Sequence, residues 1–169
     1  GFVDDAPALI ASMLSAGYDA NAMRWASVVP AGSEGWALLV LAAPGRITPV
    51  DAATVEKFVD ADESAEKRKA AFLIAGLAAL DRLGANDAGR YSSDMGLRLR
   101  EDTRWTRAID SAARRGDAAS VVLLAGFGMQ GDNWQRMTPR YLFHILSALR
   151  QVGFEAEARM IAAEAVARA

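Results

Sequence analysis

Apolar side chains recur along most of the chain at the spacing of an α-helix. The large apolar residues of the first such segment are Leu9, Ile10, Met13 and Leu14. Residues at this spacing lie on one face of a helix with about 3.6 residues per turn. The same periodicity runs through 138–152 and 154–168. The pattern predicts an all-α fold of about seven to nine helices without a sheet.

Threonine, glycine and proline mark where these helices begin and end. Thr138-Pro139 predicts a helix start, because the threonine hydroxyl accepts a hydrogen bond from a free amide and proline has no amide to satisfy. Thr48-Pro49 has the same pattern and predicts a second start. The region 85–97 is rich in Gly, Asn, Asp and Ser, which predicts a loop followed by a short helix from about Ser92.

Helix-to-helix corners repeat along the sequence. The segment 17–22 matches 153–158 position by position as glycine, aromatic, acid, alanine, polar residue and alanine. The helix that precedes the second of these corners, 141–153, also aligns with 72–84. Glycine is common directly after a helix because it adopts the left-handed conformation without strain. Three corner glycines are therefore predicted: Gly17, Gly84 and Gly153.

The last corner resembles the second half of a tetratricopeptide-type repeat. Gly153 is followed by Ala158 at +5 and Ala165 at +12, and in that family small residues let two antiparallel helices approach. The first corner has half of the pattern, with Ala22 five residues after Gly17. Both copies depart from the family at +9, where alanine stands in place of an aromatic. The resemblance implies helical hairpins with an internal repeat, arranged as an α-solenoid or a compact multi-helix bundle, and a scaffold that binds a protein or peptide.

Length and composition limit the class of protein. The chain has 169 residues, which fits a single helical-repeat domain over 1–169. Because it does not begin with methionine, we expect it to be a fragment of a longer chain. Hydrophobic residues make up 52% of the sequence, and much of that is alanine, which favours closely packed helices.

Charge and cysteine content exclude several kinds of partner and site. A net charge of −2 predicts no general affinity for nucleic acid. The longest apolar runs fall short of the roughly 20 residues that a membrane-spanning helix needs, so no span is predicted. Without cysteine there are no disulfides and no thiolate ligands. Both cytoplasmic and periplasmic locations stay open.

No group of catalytic, cofactor-binding or metal-binding residues stands out. The segment 126–131 reads GxGxxG after the apolar run 121–125, and after a strand it would be a dinucleotide-binding fingerprint. No helix is expected to open at its third glycine, so we predict a glycine-rich loop between helices over 126–135. His144 is the single histidine, without a second histidine or a cysteine for zinc. We predict no cofactor, no metal and a structural role for His144.

Arginines interleaved with an aromatic residue are the best candidates for binding a partner. Guanidinium groups form paired hydrogen bonds with carboxylates, and flat aromatic side chains supply contact area at low entropic cost. Acidic neighbours in the same segment also allow the alternative of a solvated helix face. The predicted partner-binding residues are Arg98, Arg100, Arg104, Trp105, Arg107, Trp134 and Arg136.

Three functions are compatible with these observations. We predict a non-catalytic helical-repeat scaffold that binds a protein or peptide partner, with an acidic or carboxylate-bearing peptide as the expected ligand. The first alternative is a structural helical domain of a larger enzyme. The second is a nucleotide-binding enzyme that uses the Gly126–Gly131 loop.

Overall fold

The computed structural model describes residues 5–129 and 134–169, and within these ranges every regular element is a helix. The predicted all-α fold is therefore confirmed, although the described ranges contain ten α-helices where seven to nine helices were predicted. Among the described residues, an isolated parallel bridge between Val50 and Leu83 is the one strand-like contact. The α-helices of the described ranges are α1 (Ala6–Ser15), α2 (Asp19–Met23), α3 (Glu34–Ala42), α4 (Ala52–Ala61), α5 (Arg68–Ala79), α6 (Ala85–Asp94), α7 (Arg104–Arg114), α8 (Ala118–Gly128), α9 (Pro139–Gln151) and α10 (Glu155–Ala167); 3-10 segments cover Arg24–Ser27, Ala65–Lys67 and Trp134–Arg136.

Helix α5 lies at the centre of a compact multi-helix bundle. Every residue of 70–77 is buried, because α5 packs against α3, α9 and α10 and also contacts α6. Helix α1 packs against α3 and α10, whereas α7 and α8 pack against α9 and against each other. The α7–α8 hairpin is thus joined to the bundle mainly through α9.

Small residues let the central helices approach closely. A Cβ atom on Gly76 would come within 2.8 Å of Leu41 Cδ2 and within 3.4 Å of the Ala162 Cβ. Helix α5 therefore has no room for a side chain where α3 and α10 meet it. Four alanines of α10 are buried in the same bundle. The alanine-rich composition is used for close helix packing.

Two of the three predicted corner glycines are confirmed, and the third corner is formed by a different residue. Gly17 (φ 78°) and Gly153 (φ 95°) adopt the left-handed conformation just after α1 and α9. After α5 that position is held by Asp81 (φ 58°), one of the residue types that tolerates this conformation. Gly84 has a φ of −56° and lies three residues later, as the N-cap of α6. The predicted alignment of this corner is therefore wrong in register.

One of the two predicted threonine–proline starts is confirmed. At Thr138-Pro139 the threonine hydroxyl accepts a hydrogen bond from the amide three residues on, at 3.1 Å. Thr48-Pro49 does not begin a helix, because the Val50 amide donates to the Arg82 carbonyl at 2.9 Å and holds this segment extended. Helix α4 begins later, with Asp51 as its N-cap.

The polar stretch predicted to be largely a loop, 85–97, is mostly helix. Tyr91 is the buried residue of α6, and its hydroxyl donates to the Ala52 carbonyl at 2.9 Å. This one buried aromatic outweighs the weak helix propensity of the surrounding polar residues and glycine. Helix α6 consequently lies against α5 and forms one wall of a cavity.

Two buried arginines close the carboxyl end of α3. Arg82 is 2% exposed and Arg159 is 8% exposed. Burial lowers the pKa of Arg82, and the positive charge of Arg159 lowers it further. Both guanidinium groups satisfy carbonyls that have no amide partner at a helix end, where a cation is also favoured by the helix dipole. The carbonyls that accept from Arg82 are those of Val40, Leu41, Ala43 and Gly45, and the one that accepts from Arg159 is that of Ala42.

Candidate functional site

Helix α7 presents a row of arginines to solvent. A capping box fixes its beginning, with the Thr103 hydroxyl accepting from the Thr106 amide at 3.1 Å and the Thr106 hydroxyl accepting from the Thr103 amide at 2.7 Å. The inner side of the helix buries Thr106, Ile109 and two alanines. The exposed arginines, named here the arginine face, are Arg104, Arg107, Arg114 and Arg115.

Helix α8 is apolar on all sides, although one side of it is exposed. Val121 and Ala125 are buried, whereas Leu123 and Phe127 are 75% and 66% exposed. A helix of such composition is normally buried all round. The outer residues follow one another at helical spacing and form a continuous stripe. We name this stripe the apolar face: Ala119, Val122, Leu123, Gly126 and Phe127.

Trp105 joins α7, which carries the arginine face, to α8, which carries the apolar face. Its indole Nε1 donates to the Leu124 carbonyl of α8 at 3.2 Å, and its ring centroid lies 4.8 Å from that of Tyr141 on α9. A Cβ atom on Gly128 would come within 2.6 Å of Trp105 Cζ2, so the end of α8 rests on the indole. Trp105, one of the predicted partner-binding residues, is half-buried and supports this region from within. The arginine face and the apolar face together are called the α7–α8 surface below.

Arg98 and Arg100 line an open cavity of about 650 Å³ between α5, α6 and α9, called the α6 cavity below. The Arg100 guanidinium lies 5.5 Å from the centroid of the Phe143 ring, in a cation–π arrangement. Arg98 forms an ion pair with Glu101 at 3.6 Å, and Glu101 is also paired with Arg140 of α9. Arg98 and Arg100 therefore lie at a cavity, whereas the arginines of α7 lie on the exposed side of a helix.

Trp134 and Arg136 belong to a third location, beside the start of α5. The carbonyls of Trp134 and Met137 both accept hydrogen bonds from the Arg68 guanidinium, the second at 2.7 Å. Arg68 also lies over the Phe72 ring at 4.6 Å, and burial lowers the pKa of Arg68. Trp134 is half-buried against the core and Arg136 is exposed. The seven predicted partner-binding residues are therefore distributed over three locations.

His144 has an acidic partner that the sequence did not reveal. Its Nδ1 lies 2.9 Å from both carboxylate oxygens of Asp110 on α7. His144 is buried, and its Nε2 has no hydrogen-bond partner among the described residues. The pair joins α7 to α9 across 34 positions of sequence. Because helical periodicity alone does not show which faces of two distant helices meet, only the packing of α7 on α9 identifies this pair.

The glycine-rich segment does not have the context of a dinucleotide-binding fingerprint. The residues 121–125, which would have to form a strand, are helical. Gly126 and Gly128 lie inside α8, so the predicted loop over 126–135 is wrong for its first three residues. The prediction for Gly131 lies outside the described residues. Gly128 has a packing role instead, against Trp105.

The described residues contain neither a cluster of three metal-ligating side chains nor a helix whose length and hydropathy suit a bilayer. Comparisons of the chain with protein-family models, with curated proteins and with solved structures found no match. The resemblance to tetratricopeptide repeats and the internal repeat therefore stay predictions. What the structure adds is two candidate sites, the α7–α8 surface and the α6 cavity.

Proposed function

We propose that this protein is a helical scaffold that binds an amphipathic helix of a protein partner on the α7–α8 surface, the partner helix being apolar on one side and acidic along its edges. The observation that carries the proposal is the exposure of Leu123 and Phe127 on a helix that is apolar all round. A contiguous exposed apolar patch with polar edges is typical of an interaction site.

The spacing of the apolar face suits a helical partner. Val122, Leu123 and Phe127 stand at i, i+1 and i+5, so their side chains lie along one side of α8. A second helix laid along this side would contact them through its own i, i+3, i+4 and i+7 positions. Burying a leucine or phenylalanine side chain completely stabilises a complex by about 1.5–3 kcal/mol each.

The arginine face determines the charge of the partner. Arg104, Arg107 and Arg114 lie on the neighbouring helix of the same hairpin, Arg115 follows it directly as the C-cap, and all four are exposed. Guanidinium groups at the edge of an apolar contact favour aspartate and glutamate and disfavour lysine and arginine. The chain as a whole carries a net charge of −2, which opposes a general attraction to nucleic acid, whereas the local excess of positive charge on α7 favours contact with an acidic helix.

The proposal is tested with a fluorescein-labelled peptide of about 18 residues, or five helical turns, that has leucines along one side and glutamates along both edges. Fluorescence anisotropy measures its binding to the protein at low and high salt. We expect binding that weakens as salt is added, and no binding of the same peptide with lysine in place of glutamate. The double variant Leu123→Ser/Phe127→Ser is expected to bind at least roughly tenfold more weakly.

The matched control is Leu9→Ser/Val28→Ser, which removes two apolar side chains that are also exposed, at 43% and 55%, but lie on other elements. It should bind like the unmodified protein. Equal affinity of the two double variants would contradict the proposal. So would binding to vesicles of anionic phosphatidylglycerol without binding to the acidic peptide, since an apolar stripe beside arginines can also contact a lipid surface.

A further inference from the structure

We infer that the α6 cavity is a binding site for a small organic monocarboxylate with an apolar body. The inference concerns a different part of the molecule and does not depend on the α7–α8 surface. The volume of about 650 Å³ lies within the range of pockets that hold small molecules, roughly 300–1,000 Å³. The cavity combines an apolar floor with a small number of cationic and hydroxyl groups.

Small residues of two helices create the space. Ala78 of α5 lines the cavity together with Ala85, Ala88 and Gly89 of α6. Glycine inside a helix is less stable than alanine by roughly 1 kcal/mol, and a Cβ atom on Gly89 would meet nothing within 4 Å. Packing therefore does not require glycine at this position. Glycine leaves this part of the lining without a side chain.

Arg100 provides the recognition of the carboxylate. Its guanidinium lies over the Phe143 ring at 5.5 Å, at the side of the cavity that α9 forms. Within the described residues, the ion pairs here join Glu101 to Arg98 and to Arg140, and none involves Arg100. Arg100 is exposed, and its planar fork can bind a carboxylate through two parallel hydrogen bonds.

The charge of the lining matches a ligand with a single negative charge. Arg98, Arg100 and Glu101 line the cavity, and because Glu101 offsets one of the two arginines, the three side chains together leave one positive charge. The Phe143 ring and the alanines offer an apolar contact for an aliphatic or aromatic body. Ser92 and Ser93 add hydroxyl groups that can donate hydrogen bonds to the carboxylate. A short fatty acid or an aromatic acid fits this chemistry.

Binding is measured by titrating the isotope-labelled protein with hexanoate and with benzoate and recording backbone amide shifts by NMR. We expect saturable shifts at the amides of Gly89, Ser92 and Gly96, three residues of the lining. Hexanol and benzyl alcohol, which lack the charge, should bind at least roughly tenfold more weakly. Absence of saturable shifts at about 10 mM hexanoate and benzoate would overturn the inference.

Two variants distinguish the cavity from other surfaces. Gly89→Leu fills the space and should abolish the shifts while the protein stays folded, since leucine is a better helix former than glycine. Ala156→Leu is the control, because Ala156 is an exposed residue of α10 that belongs neither to the cavity lining nor to the α7–α8 surface; it should bind hexanoate normally. Arg100→Gln should weaken binding roughly tenfold.

Three results would overturn the assignment. Unchanged binding in Gly89→Leu would place the ligand elsewhere. Equal binding of hexanol and hexanoate would remove the role of the carboxylate. Binding of a short peptide with a free carboxyl terminus that is much tighter than that of hexanoate would assign the cavity to a chain end rather than to a small acid.

Discussion

Gly128 of α8 lies directly against the indole of Trp105, so close that a Cβ atom at this glycine would come within 2.6 Å of the indole Cζ2. The indole cannot move away freely, because its Nε1 is hydrogen-bonded to the Leu124 carbonyl and its ring packs on Tyr141. The contact fixes the end of α8 against the beginning of α7. The relative position of the arginine face and the apolar face depends on it.

Gly128→Ala is therefore expected to destabilise the protein, by about 1–3 kcal/mol as for other overpacked sites. Gly126→Ala, two residues earlier, places its Cβ in open space and should stabilise by about 0.5–1 kcal/mol, because alanine has the higher helix propensity. Urea unfolding of both variants measures the difference. Equal free energies of unfolding would show that the indole adjusts without cost.

The helix-to-helix corners give a second prediction, which concerns the stability of variants at residues with and without a positive φ. Gly153→Ala should destabilise by about 1 kcal/mol, because its φ of 95° is strained for any other residue. Gly84→Ala should destabilise less than this, since a φ of −56° suits alanine and only the weaker preference of alanine for the N-cap position opposes the change. Asp81→Gly should stabilise the protein by about 0.5–1 kcal/mol by relieving its positive φ. Thermal unfolding of the three variants tests this order, and a destabilised Gly84→Ala with a neutral Gly153→Ala would reverse it.

Arg82 gives the third prediction, which concerns the end of α3. Arg82→Met keeps much of the volume but leaves four carbonyls without their donor. We expect a loss of about 2–4 kcal/mol in the free energy of unfolding. Arg150→Met is the control, because Arg150 is exposed and should tolerate the change. If the two variants unfold at the same denaturant concentration, the carbonyls are satisfied in another way.

Acid sensitivity at the helix starts is the fourth prediction. Hydrogen bonds from the hydroxyls of Thr54 and Ser120 lower the pKa values of the N-cap residues Asp51 and Asp117. Their unfolded pKa lies near 3.9, so the native state holds fewer protons than the unfolded state around and below this value. The two aspartates therefore contribute their full stabilisation at a pH above the unfolded pKa, and this stabilisation is lost as the pH falls through the lowered pKa of the native state.

Asp117→Asn retains an acceptor for the helix start but does not titrate. The variant should therefore lose less stability than the unmodified protein between about pH 6 and pH 3. Urea unfolding at both pH values gives the comparison. An identical pH dependence would mean that Asp117 has the same pKa in the folded and unfolded chain.

Local signals in the sequence were sufficient for much of the fold. Gly17, Gly153 and Thr138 act within one helical turn, so their roles can be predicted without knowledge of the packing. Two of the wrong predictions involve partners far away in sequence. Thr48-Pro49 fails because Val50 is held by Arg82, and the predicted loop at 85–97 fails because the Tyr91 hydroxyl reaches the carbonyl of Ala52.

The candidate sites could be predicted only in part, for the same physical reason. The arginines were visible as a cluster, but they lie on both sides of a helix boundary: Arg100 belongs to the connecting segment 95–103 at the α6 cavity, whereas Arg104 begins α7. The apolar run at 121–125 was also visible. Which of its sides is covered depends on how α8 packs on α7 and α9, and the run itself contains no signal for that.

The final prediction distinguishes the two proposed sites by replacing one arginine of each site with glutamine. Arg104→Gln should weaken binding of the acidic peptide and leave the hexanoate shifts unchanged, because Arg104 belongs to the arginine face of α7. Arg100→Gln should do the opposite, because its guanidinium lies beside Phe143 in the α6 cavity. Each effect is expected to be roughly tenfold, as for a lost charged hydrogen bond. Both arginines are exposed, so both variants should keep the melting temperature of the unmodified protein.

Two outcomes would contradict part of this picture. If Arg104→Gln weakens the binding of both the peptide and hexanoate, the cavity and the surface form one site. If the unmodified protein binds hexanoate but not the peptide, the scaffold proposal is wrong and the assignment of the cavity is retained.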